Sequence, residues 1–377
     1  MKEERKEKET ALTTSVGADV QQSPKNSNIN IISENVGSGG KTFPVGKDLN
    51  VISMTALFDQ VYNPKLPLIE GLLYQGMYLF AGAPKIGKSF FMAQLSYSIA
   101  KGITLWQYPV RQGTVLYLAL EDDYARIQQR LYQMFGAEEC DHLYFATRAK
   151  TLSEGLDRQL EDFIKEHSDT RLIIIDTLQK VREIGGERYS YASDYEIVTR
   201  LKDFSDRSGI CLLAVHHTRK MEAEDTFDMI SGTTGLLGAA DGAFLLQKKK
   251  RTDNTAILNV VGRDQQDQEL TLEFDREKCI WKLTKAETEL WKPKEEPILS
   301  AIGEAITQDN PEWEGTASEL LELLSLPTDT ATNTITRKLN ANVGRLLSEY
   351  GIIYEPCQRK AQKRTFRLFL KQSEDAT

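Results

Sequence analysis

The chain has 377 residues, of which 40% are hydrophobic and 27% charged, with a net charge of −8. That is enough for about two or three domains and at least one sizeable core. No run of about 18 apolar residues occurs, so no transmembrane helix is expected, and the charged start MKEERKEKET lacks the apolar stretch of a secretory signal. The acidic balance argues against whole-surface attraction to nucleic acid, though not against a local basic face.

Residues 1–48 are polar, charged and aperiodic, and are expected to form a disordered tail that cannot bury enough apolar surface to offset ordering entropy. From 49 to 285 short apolar runs alternate with amphipathic stretches. The runs are MYLFAGA (77–83), TVLYLAL (114–120), HLYFAT (142–147), RLIIID (171–176), ICLLAVH (210–216), GAFLLQ (242–247) and AILNVVG (256–262). Helical periodicity marks 89–100, 124–135 and 154–167. This alternation predicts an α/β fold with a mainly parallel sheet covered on both faces. The runs from 242 onward, joined by short polar links, read as hairpin strands added at one edge. The cysteines, Cys140, Cys211, Cys279 and Cys357, are far apart and form no CxxC pair. Neither a disulfide framework nor a zinc site is expected, and a reducing cytoplasm is the expected location.

The first run leads into Gly82-Ala83-Pro84-Lys85-Ile86-Gly87-Lys88-Ser89, which matches GxxxxGK[ST] in full between a strand and a helix. The glycines let backbone N–H groups curl around a phosphate, and the following helix adds its positive end. Residues 82–90, Phe90 included, are the expected ATP-binding segment. Lys88 is expected to reach the β- and γ-phosphates, and the Ser89 hydroxyl to bind Mg²⁺. The strand 171–176 ends in Asp176, the expected carboxylate partner of that Mg²⁺. Two further strand ends carry polar groups. Glu121 follows VLYLAL, where a carboxylate can orient or deprotonate a water; a solvated acidic turn, Asp122 and Asp123 above all, is the bland alternative. His216 and His217 follow CLLAV, where a polar side chain can sense the γ-phosphate, and His217 is favoured of the two.

With GAPKIGKS, YLALEDD, LIIIDT, AVHHTRK, SGTTGLLGAADGAFLL and VVGRD in place, residues 50–285 resemble the RepA-type replicative helicases of plasmids and mobile elements, within the RecA/DnaB-like P-loop ATPases. The resemblance implies a RecA-like core and a homo-oligomeric, hexameric ring with ATP at its interfaces. It implies roles for Glu121 as catalytic base, Asp176 as Mg²⁺ ligand and His217 as sensor. It also places Arg263 where such proteins supply an arginine finger to a neighbour, a device worth about 10³–10⁵ in turnover. An ion pair of Arg263 with Asp264 or Asp267 is the competing reading. Lys248, Lys249, Lys250 and Arg251 are either helpers at that interface or a solvated turn.

Single-stranded DNA is the expected partner of two loops that the resemblance turns toward the ring channel. The loop 180–194 offers Arg182, Arg188, Tyr189 and Tyr191 to phosphates and bases. The loop 219–235 offers Arg219 and Lys220 but is also acidic. A charged linker spans 286–296. The segment 297–377 then reads as three helices (296–308, 316–324 and 330–351) and a two-stranded wing, resembling a winged helix. Residues 355–371 hold six basic side chains against one acidic, a candidate face for duplex DNA; a protein-docking role is the alternative. The expected function is thus an ATP-hydrolysing replicative DNA helicase. A recombination or repair ATPase and an ATP-gated DNA-binding regulator are its competitors.

Overall fold

The computed structural model describes residues 51–62, 64–182, 191–218, 226–230, 234–250, 252–288, 294–325, 331–357 and 364–371. The expected tail at 1–48 lies outside them, as do Arg188, Tyr189, Arg219, Lys220 and Arg251.

In chain order the elements are α1 (Met54–Phe58), β1 (Pro67–Ile69), β2 (Leu73–Tyr74), β3 (Gly76–Gly82), α2 (Lys88–Lys101), β4 (Thr114–Ala119), α3 (Tyr124–Phe135), β5 (Leu143–Ala146), α4 (Leu156–Glu166) and β6 (Thr170–Asp176). There follow α5 (Tyr191–Ser208), β7 (Cys211–His217), α6 (Thr234–Ala239), β8 (Gly242–Gln247), β9 (Thr255–Gly262), β10 (Gln268–Asp275) and β11 (Ile280–Thr288). The last are α7 (Pro297–Ala305), β12 (Glu312–Gly315), α8 (Ala317–Leu323), α9 (Thr332–Ala341), α10 (Val343–Tyr350), β13 (Ile352–Pro356) and β14 (Phe366–Leu370). None of the described helices is long and apolar enough to cross a membrane.

Nine strands form one sheet in the order β11-β10-β9-β8-β3-β7-β6-β4-β5. The six from β8 to β5 are parallel, and β9 to β11 are antiparallel additions. One expectation needs correction here. Gly242–Gln247 does form a hairpin with β9, but it is not an added edge strand: on its other side β8 pairs in parallel with β3, and only β9 to β11 are antiparallel additions. A short apolar run with polar flanks does not reveal its direction, which the crossover through α6 decides. Strand β3 is buried at every position. Its alternation sends Tyr78 and Phe80 to one face, with Phe91, Leu95 and Ile99 of α2. Met77, Leu79 and Ala81 go to the other, with Val198 and Leu201 of α5. A strand buried on both sides loses its polar alternation, which is why these runs read as continuously apolar.

The C-terminal elements hold a separate core of Ile298, Leu299, Ile302, Leu320, Leu339 and Leu368, among others, and a three-stranded sheet ordered β12-β14-β13. The helix expected over 330–351 is broken at Asn342 into α9 and α10. Strand β12 precedes α8, which starts with a capping box of Thr316 and Glu319. The residues ahead of the large sheet also pack here. Asn340 donates its side-chain N–H to the Phe58 carbonyl at 2.9 Å, Arg337 pairs with Asp59 at 2.9 Å, and Val61 lies against the same core.

Candidate functional site

The C-terminal ends of β3, β4, β6 and β7 lie side by side, so the residues that follow them converge at one end of the sheet. Between β3 and α2 the chain turns through Gly87 at φ +108°, a conformation that suits glycine. A Cβ at Gly87 would also stand 2.9 Å from the Trp281 ring. Trp281 of β11 is fully buried and donates its indole N–H to the Gly87 carbonyl at 3.3 Å. The phosphate turn is thus seated on a residue almost two hundred positions away. A Cβ at Gly82 would approach the Leu246 carbonyl to 2.9 Å, so the parallel neighbour β8 requires that glycine too.

Lys88 is 6% exposed. Its Nζ donates to the Gly82 carbonyl at 2.8 Å and the Ala83 carbonyl at 3.0 Å, and lies 3.2 Å from His217 Nδ1. Burial lowers the Lys88 pKa to about 8, against the opposing pull of Asp176 and Glu121. Burial, and then the Lys88 charge, also lower that of His217. Both effects disfavour the charged imidazole, and the Lys88 ammonium can donate to Nδ1. His216 of the same strand is 4% exposed and faces the interior.

Asp176 is 8% exposed. Its Oδ2 accepts from the Tyr117 hydroxyl at 2.8 Å and from Ser89 Oγ at 3.1 Å. Burial raises its pKa, while those two hydrogen bonds act in the other direction. A hydroxyl and a carboxylate 3.1 Å apart beside a phosphate turn are hard oxygen donors of the kind Mg²⁺ takes, so the donor set fits that ion. The peptide from Asp176 to Thr177 is cis. Thr177 donates from Oγ1 to Glu121 Oε1 at 3.2 Å.

The three acids after β4 separate by task. Asp123 caps α3 by accepting from the Arg126 N–H at 2.9 Å. Asp122 pairs with Arg130 at 2.6 Å. Glu121 is the one that lines the cavity at the sheet end, whose volume is about 560 Å³. Pro84 to Phe90 line it as well, with Asp176, Thr177 and His217. Gly82 and Ala83 do not line it and contribute the carbonyls that hold Lys88.

Three lining residues were given no role in the sequence reading, Arg130, Thr177 and Phe274, and a fourth, Lys248, was placed only among candidate interface helpers. Arg130 lies over the Phe90 ring at 5.5 Å, and Lys248 over the Trp281 ring at 5.1 Å. The parallel pairing of β8 with β3 brings Lys248 to the cavity of its own subunit, which corrects its grouping with Arg263. Lys249 and Lys250 are exposed in the turn that follows. No local signal separates Lys248 from them.

Arg263 lies elsewhere. Gly262 of β9 pairs with Gly242, level with Tyr78, and the Arg263 N–H donates to the Asp241 carbonyl. Asp241 in turn is bonded to Met77, five residues back along β3 from Gly82, or roughly 16 Å of strand. The Arg263 side chain borders a second cleft of about 830 Å³ with Tyr74, Tyr108 and Gln265. Arg263 donates to the Gly238 carbonyl at 3.1 Å, while Asp264, its expected competitor partner, pairs with Lys65 at 3.2 Å. Of the DNA candidates, Arg182 is buried rather than offered to solvent. In the C-terminal sheet, Arg367 of β14 is held by Glu312 of β12 at 2.7 Å and stacks on Phe369.

The strand order, the phosphate turn and the acids at the strand ends define a P-loop ATPase with a RecA-like core. Residues 51–223 match the family described as the AAA domain. Among solved structures, the ATPase domain of G40P is similar at 13% identity and TM-score 0.47, over 56% of this chain and 85% of that one. A DnaB-like replicative helicase, studied with its primase interactions, is similar at 14% identity and TM-score 0.46. That likeness covers 56% of this chain and 58% of the helicase's length. No curated protein gives a match.

Proposed function

We propose that the chain is a DNA-dependent motor driven by ATP hydrolysis, a replicative helicase of the RepA type that works as a homo-oligomeric ring, a hexamer, on single-stranded DNA of a mobile element. One observation supports it above all. Lys88, Ser89, Asp176, Glu121 and His217 meet at one end of the sheet, while Arg263 leaves from the other end, out of reach of that site. The arginine that lines this site, Arg130, is paired with Asp122, so a subunit that presents a further arginine elsewhere suits a ring in which each copy completes the next.

In this reading the backbone N–H groups of 84–88 grip the β-phosphate, and Lys88 leaves the loop carbonyls for the phosphate oxygens. Ser89 and Asp176 would hold Mg²⁺, which when bound neutralises charge on the phosphate oxygens. Glu121, steadied by the Thr177 hydroxyl, accepts the proton of the attacking water. His217 sits beside the terminal phosphate and registers its departure at the start of the 219–235 loop. The neighbour's Arg263 offsets the charge that develops as the bond breaks. The loops 180–194 and 219–235 follow the strands of Asp176 and His217, so a change at the phosphate is passed to segments that can hold a strand. The C-terminal elements, as a winged-helix-like unit, would contact duplex DNA or a protein partner.

The test measures strand displacement on a forked duplex, together with ATP turnover with and without single-stranded DNA. Unwinding with stimulated turnover is the expected outcome. Stimulated turnover without unwinding would select a recombination-type ATPase instead, and turnover indifferent to single strands would overturn the motor reading.

A further inference from the structure

Arg263 stands apart from the phosphate-turn cavity of its own subunit, yet its placement is specified in detail. Its backbone N–H donates to the Asp241 carbonyl at 2.8 Å, and its Nη2 donates to the Gly238 carbonyl of α6 at 3.1 Å. Asp241 is the more constrained of the pair. It is 2% exposed, so its carboxylate has lost water and must be matched by other donors. It accepts from the Met77 N–H at 2.9 Å and from Lys202 Nζ at 2.6 and 2.7 Å, with Lys65 Nζ at 3.7 Å. Its own N–H donates to the Met77 carbonyl at 2.8 Å. Lys65 also pairs with Asp264, next to Arg263, at 3.2 Å. Room for the carboxylate depends on Gly76, where a Cβ would stand 2.7 Å from Oδ2.

The elements joined at this point are informative. Met77 begins the strand that ends in the phosphate turn. Lys202 lies on α5, which begins within the 180–194 segment, and Gly238 lies on α6, which begins within the 219–235 segment. A buried ion pair is by itself a poor stabiliser, because desolvation offsets most of its Coulomb gain. Its value is in geometry: a charged pair with directional partners tolerates one arrangement.

We propose that Asp241 is a positioning residue for catalysis in the neighbouring subunit: by tying Arg263 to β3, α5 and α6 it sets how this arginine is presented across the interface. This rests on the reading of Arg263 as a finger for a neighbour. It adds that the finger is referenced to the same elements that carry the subunit's own phosphate turn and its two candidate DNA loops.

The test uses the full chain. Asp241→Asn keeps the shape and an acceptor for Met77 but loses the charge that gathers Lys202 and Lys65. Expected are nucleotide binding within about twofold of the parent and turnover lower by on the order of 10–100-fold, as for a displaced catalytic group. The discriminating step is mixing with Glu121→Gln subunits. Hybrid interfaces then pair an intact Glu121 site with a correctly held Arg263, so turnover should recover, as it should for Arg263→Ala mixed with Glu121→Gln. A purely structural role gives no such recovery. The proposal is overturned if Asp241→Asn retains full turnover, or if its mixture stays inactive while the Arg263→Ala mixture recovers. If neither mixture recovers in rings shown to exchange subunits, the finger reading itself has failed. Lys202→Met, which leaves Asp241 bonded to Met77 and Lys65, should reproduce the pattern. If both variants fail to fold, Asp241 is a structural staple and the proposal falls.

Discussion

Lys88 is held by the chain that presents it, bonded to two carbonyls of its own loop and facing His217. Replacing it with alanine removes the cation bonded to the Gly82 and Ala83 carbonyls, and nucleotide retention should fall below detection in an equilibrium binding assay. Glu121→Gln should separate binding from chemistry. The amide keeps the size and the Thr177 contact but is too weak a base, so ATP binding should persist while turnover drops by about 10²–10⁴. Unchanged turnover would remove Glu121 from its role. Chelating Mg²⁺ should stop turnover, since Ser89 and Asp176 have no other ion to hold. Lys88 and Ser89 were legible from the phosphate-turn motif that opens α2, and Glu121 and Asp176 because each stands at or just past a strand end, where an apolar run gives way to a polar residue. Arg130 and Lys248 were not legible. One lies partway along a helix and the other heads a lysine run, and only packing turns them into the cavity.

At the scale of elements, β11 acts as the foundation of the phosphate turn. Trp281 is fully buried against Gly87, so Trp281→Ala should lower stability by about 3–5 kcal/mol in denaturant unfolding and weaken nucleotide binding with it. Gly87→Ala should abolish binding outright, because a side chain there is strained at φ +108° and meets the indole. At the other end of the sheet, Asp241 faces Lys202 of α5 and Lys65, with Asp206 and Asp264 behind those lysines and the Tyr78 phenol nearby. Burial works against its charge, but the lysines and the Met77 N–H outweigh it and hold its pKa below the usual carboxylate value. A depressed folded-state pKa gives stability that is present above the unfolded value and lost as pH falls through the folded one. The melting difference between the parent and Asp241→Asn should therefore shrink on acidification below about pH 4.

For the whole molecule, the separation of Arg263 from its own phosphate turn is the consequential feature. Arg263→Ala and Glu121→Gln should each be inactive alone and regain part of the parent turnover when mixed. With random mixing in a ring, about a quarter of interfaces carry both intact groups, which sets the scale of the recovery. A failure to recover, in particles shown to exchange subunits, would return Arg263 to a local structural role. The C-terminal elements keep their own core, yet α1 and the residues up to Pro64 pack on them. The two regions of the chain are thus joined at two places, through this leading segment and through the stretch after β11.

The sequence alone determined the phosphate turn, the acids at the strand ends and the alternating α/β pattern, because each follows from local rules: glycine where φ is positive, apolar runs where both faces are buried, a polar residue where a strand stops. Tertiary structure decided what local rules cannot carry. The parallel direction of β8, the indole under Gly87, the lysine that enters the cavity and the distance of Arg263 from it all depend on which strands become neighbours. Strand neighbours are chosen by the packing of the whole sheet, not by the residues within any one strand.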